Sequence, residues 1–188
     1  MLFPENIGSF MEGLTYRKKS LWGLFRQMEG CLTNKIKSKE IKVTWKHFDN
    51  LAKQLAVKIE PNKLRYHCIL AVGRGSLALA QRLSHLLDLD IWVQMVWRDL
   101  ESKIRMGSIT SECGMDCCPN LGEKILVVDE IADTGETLTA VTRKLTEKNE
   151  EFDVACLYVN TKNLSKVNYP DYYAATTENW IIFPWEVR

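Results

Sequence analysis

Apolar residues change their spacing several times along the chain, and each change marks an element. From Leu14 to Met28, Leu14, Leu21, Trp22, Leu24, Phe25 and Met28 approximate one helical face while Arg17, Lys18, Lys19 and Arg26 fill the other, which predicts an amphipathic helix. A polar stretch from Thr33 to Glu40 follows. It divides the chain into an N-terminal extension, 1–40, and a main domain, 41–188. Thr44 is placed to cap a helix whose apolar residues Trp45, Phe48, Leu51, Leu55, Ala56 and Ile59 recur at helical spacing before Pro61. The period then shortens. His67 to Val72 is a continuous apolar run closed by Gly73, the pattern of a strand buried on both faces.

Leu77, Ala78, Ala80, Leu83, Leu86 and Leu87 predict the next helix, Ile91 to Trp97 a second strand, and Lys124 to Val128 a third. A helix from about Glu136 to Lys148 and a fourth strand from Val154 to Val159 complete the series. Strands alternating with helices predict an α/β domain with a mainly parallel sheet flanked by helices, and ligands at the carboxyl ends of its strands. Between the second and third strands, Arg98 to Glu123 is polar and too long for an ordinary connection. A functional loop is expected there.

Composition narrows the class of function. Lys and Arg total 25 against 24 for Asp and Glu, so the chain lacks the positive excess that nucleic-acid binding draws on. No run of about 18 apolar residues occurs, and the first residues do not pair a basic region with an apolar one. Neither export nor a membrane span is expected. Six cysteines in a chain of 188 residues without such a leader point to a reducing, cytoplasmic setting rather than a disulfide framework. Cys113, Cys117 and Cys118 sit close together, but their spacing is not that of a zinc site.

The densest chemistry lies in Ile125-Leu-Val-Val-Asp129-Glu130-Ile-Ala-Asp133-Thr134-Gly135-Glu136-Thr137. An apolar strand leads into two adjacent acids, and a helix starts a few residues later. Backbone N–H groups at that helix start, with the Thr134 and Thr137 hydroxyls, form a site for a phosphate dianion. The acids repel phosphate and need another partner, such as ribose hydroxyls or Mg2+. A sugar phosphate satisfies both. A second segment, Gly73-Arg74-Gly75-Ser76-Leu77-Ala78, fits G-x-G-x-x-A between strand and helix, a pattern shared with dinucleotide sites. The acid such a site needs about 20 residues on is not at the end of the second strand.

The Asp129–Thr137 segment resembles the phosphoribosyl pyrophosphate motif of type I phosphoribosyltransferases, and Arg74-Gly75-Ser76 resembles their pyrophosphate loop with Ser in place of the last Gly. The resemblance implies the fold of that family, with a small hood and a flexible loop. It assigns the ribose hydroxyls, directly or through Mg2+, to Asp129 and Glu130. The 5-phosphate falls to Asp133, Thr134, Gly135, Glu136 and Thr137, and the pyrophosphate to Arg74, Gly75 and Ser76. Asp133 becomes the base near the purine N7. Arg98, Lys103 and Arg105 of the long loop become candidates for charge on the leaving group.

The ending Glu178-Asn-Trp180-Ile181-Ile-Phe-Pro184-Trp185-Glu186 is similar to that of xanthine, guanine and hypoxanthine phosphoribosyltransferases. By that likeness Trp180 stacks on the purine, the Ile181 backbone reads its edge, and Lys162 donates to its 6-oxo group. The implied activity is transfer of a phosphoribosyl group from phosphoribosyl pyrophosphate to a 6-oxopurine in purine salvage, with Mg2+, by a homodimer or homotetramer. A regulator of the same fold that binds the sugar phosphate without catalysis is the alternative.

Overall fold

The structure, a computed structural model, describes residues 40–99, 101–107, 124–165 and 169–186. The helix expected near the amino end and the three clustered cysteines lie outside them. Five strands form a fully parallel sheet: β2 (Tyr66–Val72), β3 (Asp90–Gln94), β6 (Lys124–Ala132), β7 (Phe152–Asn160) and β8 (Tyr172–Thr177), in the order β3-β2-β6-β7-β8. A short parallel pair joins β1 (Glu40–Lys42) to β9 (Trp180–Ile182), and an antiparallel hairpin joins β4 (Val96–Arg98) to β5 (Ile104–Met106).

Helices cover both faces. Helix α1 (Trp45–Ile59) starts at Thr44, whose Oγ1 accepts a hydrogen bond from the His47 N–H at 3.2 Å, as its capping role predicts. With α2 (Leu77–Leu87) it packs on one side, where Leu55, Ile59, Leu79 and Leu83 meet Ile69, Ala71, Leu126 and Val128. Leu138, Val141 and Leu145 of α3 (Glu136–Glu147) cover the other side, against Cys68, Leu70, Val72, Ile125 and Val127. Alternate residues of β2 and β6 thus enter opposite layers, which is why both read as unbroken apolar runs. Truncating a fully buried core leucine such as Leu126 to alanine costs about 2–5 kcal/mol.

Several elements differ from the expectation, among them the short strands β1, β5 and β9, which no apolar pattern announced. The second strand is broken at Met95: the buried Gln94 side chain donates to the Met95 and Gly107 carbonyls at 3.1 and 2.9 Å, and the chain leaves the sheet for the hairpin. The third strand runs on through Ala132, because Ile131 and Ala132 still pair with Tyr158 and Val159 of β7. The edge strand β8 carries no continuous apolar run and was not expected. From β2 the chain builds outward to β3, whereas β6, β7 and β8 lie on the other side. The connection reverses between β2 and β6, the kind of crevice where open α/β sheets bind ligands.

Candidate active site

Asp129 is buried, yet it sits one residue from another carboxylate. Burial pushes its carboxyl well above the usual range, and the charge of Glu130 adds to the shift. The Glu130 N–H donates to Asp129 Oδ1 at 2.9 Å and only partly opposes this. Glu130 Oε2 is buried with no hydrogen-bond partner in the structure. A buried carboxylate oxygen without a donor carries an uncompensated desolvation cost. Gly75 belongs to the same feature: a Cβ there would overlap the Glu130 carboxyl group, at 1.8 Å from Oε1. Glycine in the loop after β2 thus leaves the space in which the Glu130 carboxyl lies; a side chain there would displace that group.

Beyond the strand, Asp133 is half-buried and Gly135 takes a left-handed conformation, φ 81°, at the N-cap of α3. That residue offers no side-chain oxygen to the helix, and apart from the Glu136 N–H, which Thr134 takes, a helix start without its own cap suits an outside acceptor. Thr134 is exposed and its hydroxyl accepts from the Glu136 N–H at 3.4 Å. Asp133 Oδ1 accepts two hydrogen bonds, from Asn160 Nδ2 and Asn163 Nδ2, each at 2.7 Å. Neither asparagine stood out in the sequence.

At the end of β2, Gly73 is also left-handed, φ 67°, with its N–H donating to the Gln94 carbonyl at 2.8 Å. Ser76 is buried and its hydroxyl turns back to the Gly73 carbonyl at 3.3 Å, while Arg74 is exposed. On the hairpin, Arg98 at the end of β4 pairs with Glu136 at 2.8 Å, so the start of α3 meets the hairpin. Lys103 pairs with Glu101, and Arg105 with Asp99.

These pieces surround one cavity of about 740 Å³. Asp129 and Glu130 line it from β6, Asp133, Thr134 and Gly135 from the loop after that strand, Thr137 from the first turn of α3, and Arg74 and Gly75 from the loop after β2. Arg98 reaches it from the hairpin, and Trp180 and Trp185 close another side. Trp185 is fixed, stacked on Phe183 at 4.8 Å and 7° and packed against Phe48. Trp180 is 58% exposed and contacts no described aromatic ring, which leaves an indole face for a planar ligand. Ile181 is buried in β9, in register with Ile41. Six of the residues singled out from the sequence fall outside the lining: Ser76, Lys103, Arg105, Glu136, Lys162 and Ile181. Lys162 is exposed, on a turn held by its own N–H to Asn160 Oδ1 at 3.0 Å. Among the described residues no group of three or more His, Cys, Asp or Glu converges as a metal cage. No helix of the described residues is long and apolar enough to cross a membrane.

Comparison with known proteins places this geometry. Residues 40–188 match the family model of the phosphoribosyl transferase domain. A xanthine-guanine phosphoribosyltransferase of Nitratidesulfovibrio vulgaris is 26% identical over 150 residues, covering 77% of this chain and 83% of that protein. The crystal structure of a purine phosphoribosyltransferase from Pyrococcus horikoshii superposes with a TM-score of 0.63 at 30% identity, over 79% of this chain and 95% of that one. The xanthine-guanine-hypoxanthine phosphoribosyltransferase of Helicobacter pylori gives a TM-score of 0.65 at 25% identity, with the same coverage of both chains.

Proposed function

The chain belongs to the phosphoribosyl transferase domain family, and from that premise we propose that it transfers the 5-phosphoribosyl group of phosphoribosyl pyrophosphate to N9 of hypoxanthine, guanine or xanthine. The products are the nucleoside monophosphate and pyrophosphate. The observation that carries this reading is the sharing of one cavity by an acidic strand end, an open helix start and a free indole.

In this mechanism the amide groups of Thr134 to Thr137 hold the 5-phosphate, and Asp129 with Glu130 takes the ribose hydroxyls. Arg74 and Arg98 supply positive charge near the pyrophosphate. Trp180 stacks on the purine. Asp133 accepts the N7 proton: the N7–H bond breaks, an O–H bond forms on the carboxylate, and the electron pair stays in the ring. N9 bonds to C1 of the ribose as the bond from C1 to pyrophosphate breaks, and that electron pair leaves with the pyrophosphate.

The acidic pair also fits a divalent cation. Two adjacent carboxyl groups, one with a buried and unpartnered oxygen, are the ligand type Mg2+ takes together with water and substrate phosphates. Asp129 and Glu130 would hold it, and Mg2+ would supply charge to the departing pyrophosphate.

Incubation with phosphoribosyl pyrophosphate, Mg2+ and a panel of bases tests the reading. Nucleotide should form with 6-oxopurines and not with adenine or orotate. Asp133→Asn should lower kcat by about 10²–10⁴-fold without moving the thermal midpoint. Full turnover in that variant would remove Asp133 from the reaction.

A further inference from the structure

Asp133 has two carboxylate oxygens, and the structure treats them unequally. Oδ1 accepts from Asn160 Nδ2 and from Asn163 Nδ2, each at 2.7 Å. No described residue donates to Oδ2, and that oxygen is not among the buried atoms lacking a partner. A carboxylate only accepts, so each amide must present its nitrogen to it. The opposite end of Asn160 agrees with that orientation, since its Oδ1 accepts the Lys162 N–H at 3.0 Å. The Asn160 amide is therefore fixed from both ends, and it is buried at the last position of β7.

The turn that carries Asn163 is anchored as well. The Thr161 N–H donates to the Thr177 carbonyl of β8 at 2.9 Å, and the Leu164 N–H to the Asn160 carbonyl at 3.0 Å. Leu164 is buried in the layer beneath α3. Two amides on a rigid turn thus clamp one oxygen of a carboxylate that lines the cavity. Without them the side chain could rotate about its terminal torsion, which is broad for aspartate.

We infer that Asn160 and Asn163 are positioning residues for Asp133: they occupy Oδ1 and so present Oδ2 as the oxygen that receives the purine proton. The inference rests on Asp133 acting as the base in the proposed reaction. It gives the turn after β7 a task in proton transfer rather than in holding the purine. Asn160 is built into the sheet, whereas Asn163 is exposed and can be changed with little risk to folding.

The test uses the full chain with phosphoribosyl pyrophosphate, Mg2+ and hypoxanthine, reading kcat, both KM values and the thermal midpoint. Asn163→Ala should lower kcat roughly tenfold, a share of the contribution of a positioned acid–base group, with KM for phosphoribosyl pyrophosphate unchanged. Asn163→Gln, which keeps an amide donor, should recover part of the loss. In an Asp133→Asn background, Asn163→Ala should change kcat less than about twofold, since residues acting through one group are not additive. Asn160→Ser should reproduce the Asn163→Ala pattern. Wild-type kcat in Asn163→Ala, or an undiminished tenfold loss in the Asp133→Asn background, overturns the positioning role. A fully active Asp133→Asn instead overturns the general-base reading and the inference together.

Discussion

The wall built by β2 and β6 and the wall built by Trp180 and Trp185 face the same cavity of about 740 Å³, yet they are held by different means. Asp129 and Glu130 follow the fully buried Val128 on the central strand of a five-stranded sheet, where pairing with β2 reaches Val128 and pairing with β7 holds Asp129 and Ile131 on either side of Glu130. Trp180 begins a strand of three residues that pairs only with β1, and its ring is more than half exposed. The first wall suits charge, which must be placed before the reaction and not reorganise during it. The second suits a flat ligand, whose stacking tolerates small shifts. In the proposed reaction, strict geometry would thus be confined to the part of the substrate that does not vary among the candidate purines.

Substitutions on either side can break that division. The largest effect is expected from Trp180→Ala. Losing the indole should raise KM for the purine by about 5- to 150-fold, the range of a base–aromatic stack of roughly 1–3 kcal/mol. KM for phosphoribosyl pyrophosphate should stay within about twofold, and an equal rise in both would mean the walls are not separate. Gly75→Ala comes next. Its Cβ would displace the Glu130 carboxyl, so KM for phosphoribosyl pyrophosphate should rise by about 2- to 10-fold, one lost polar contact, with purine KM unchanged.

The smallest effect sharpens the picture of the acidic wall. Because Asp129 has a raised pKa, the fold favours its neutral acid. That stabilisation is complete below about 3.8 and fades as pH rises through the raised value. Asp129→Asn keeps an oxygen for the Glu130 N–H and cannot ionise. In ligand-free protein above that window it should raise the thermal midpoint by roughly 2–4 °C, about 1 kcal/mol. A variant with the parent's midpoint and pH slope would contradict the burial argument.

The two walls were also unequally legible in the sequence. Asp129 to Thr137 stands in one short segment, so its chemistry could be read from neighbours in the chain. The same segment hid where the strand ends: Ile131 and Ala132 stay in β6 because of partners on β7, which local pattern cannot reveal. Trp180 was visible as a residue, but its pairing of strands from opposite ends of the domain was not. Asn160 and Asn163 carry no motif. Their role exists only because the turn after β7 folds beside Asp133, some 27 and 30 positions earlier. Lys162, between them, shows the reverse: a spacing that pointed to the purine belongs to an exposed side chain outside the cavity lining.

The register of β1 on β9 joins Glu40 to Trp180 across nearly the whole domain. Contacts so remote in sequence form late, because a long loop must close before they yield anything. During synthesis the wall built by β2 and β6 can therefore be complete while β1 still waits for β9. A chain cut short before residue 180 would keep all five strands of the parallel sheet and lose Ile181 and Phe183 from its core together with both indoles that face the cavity.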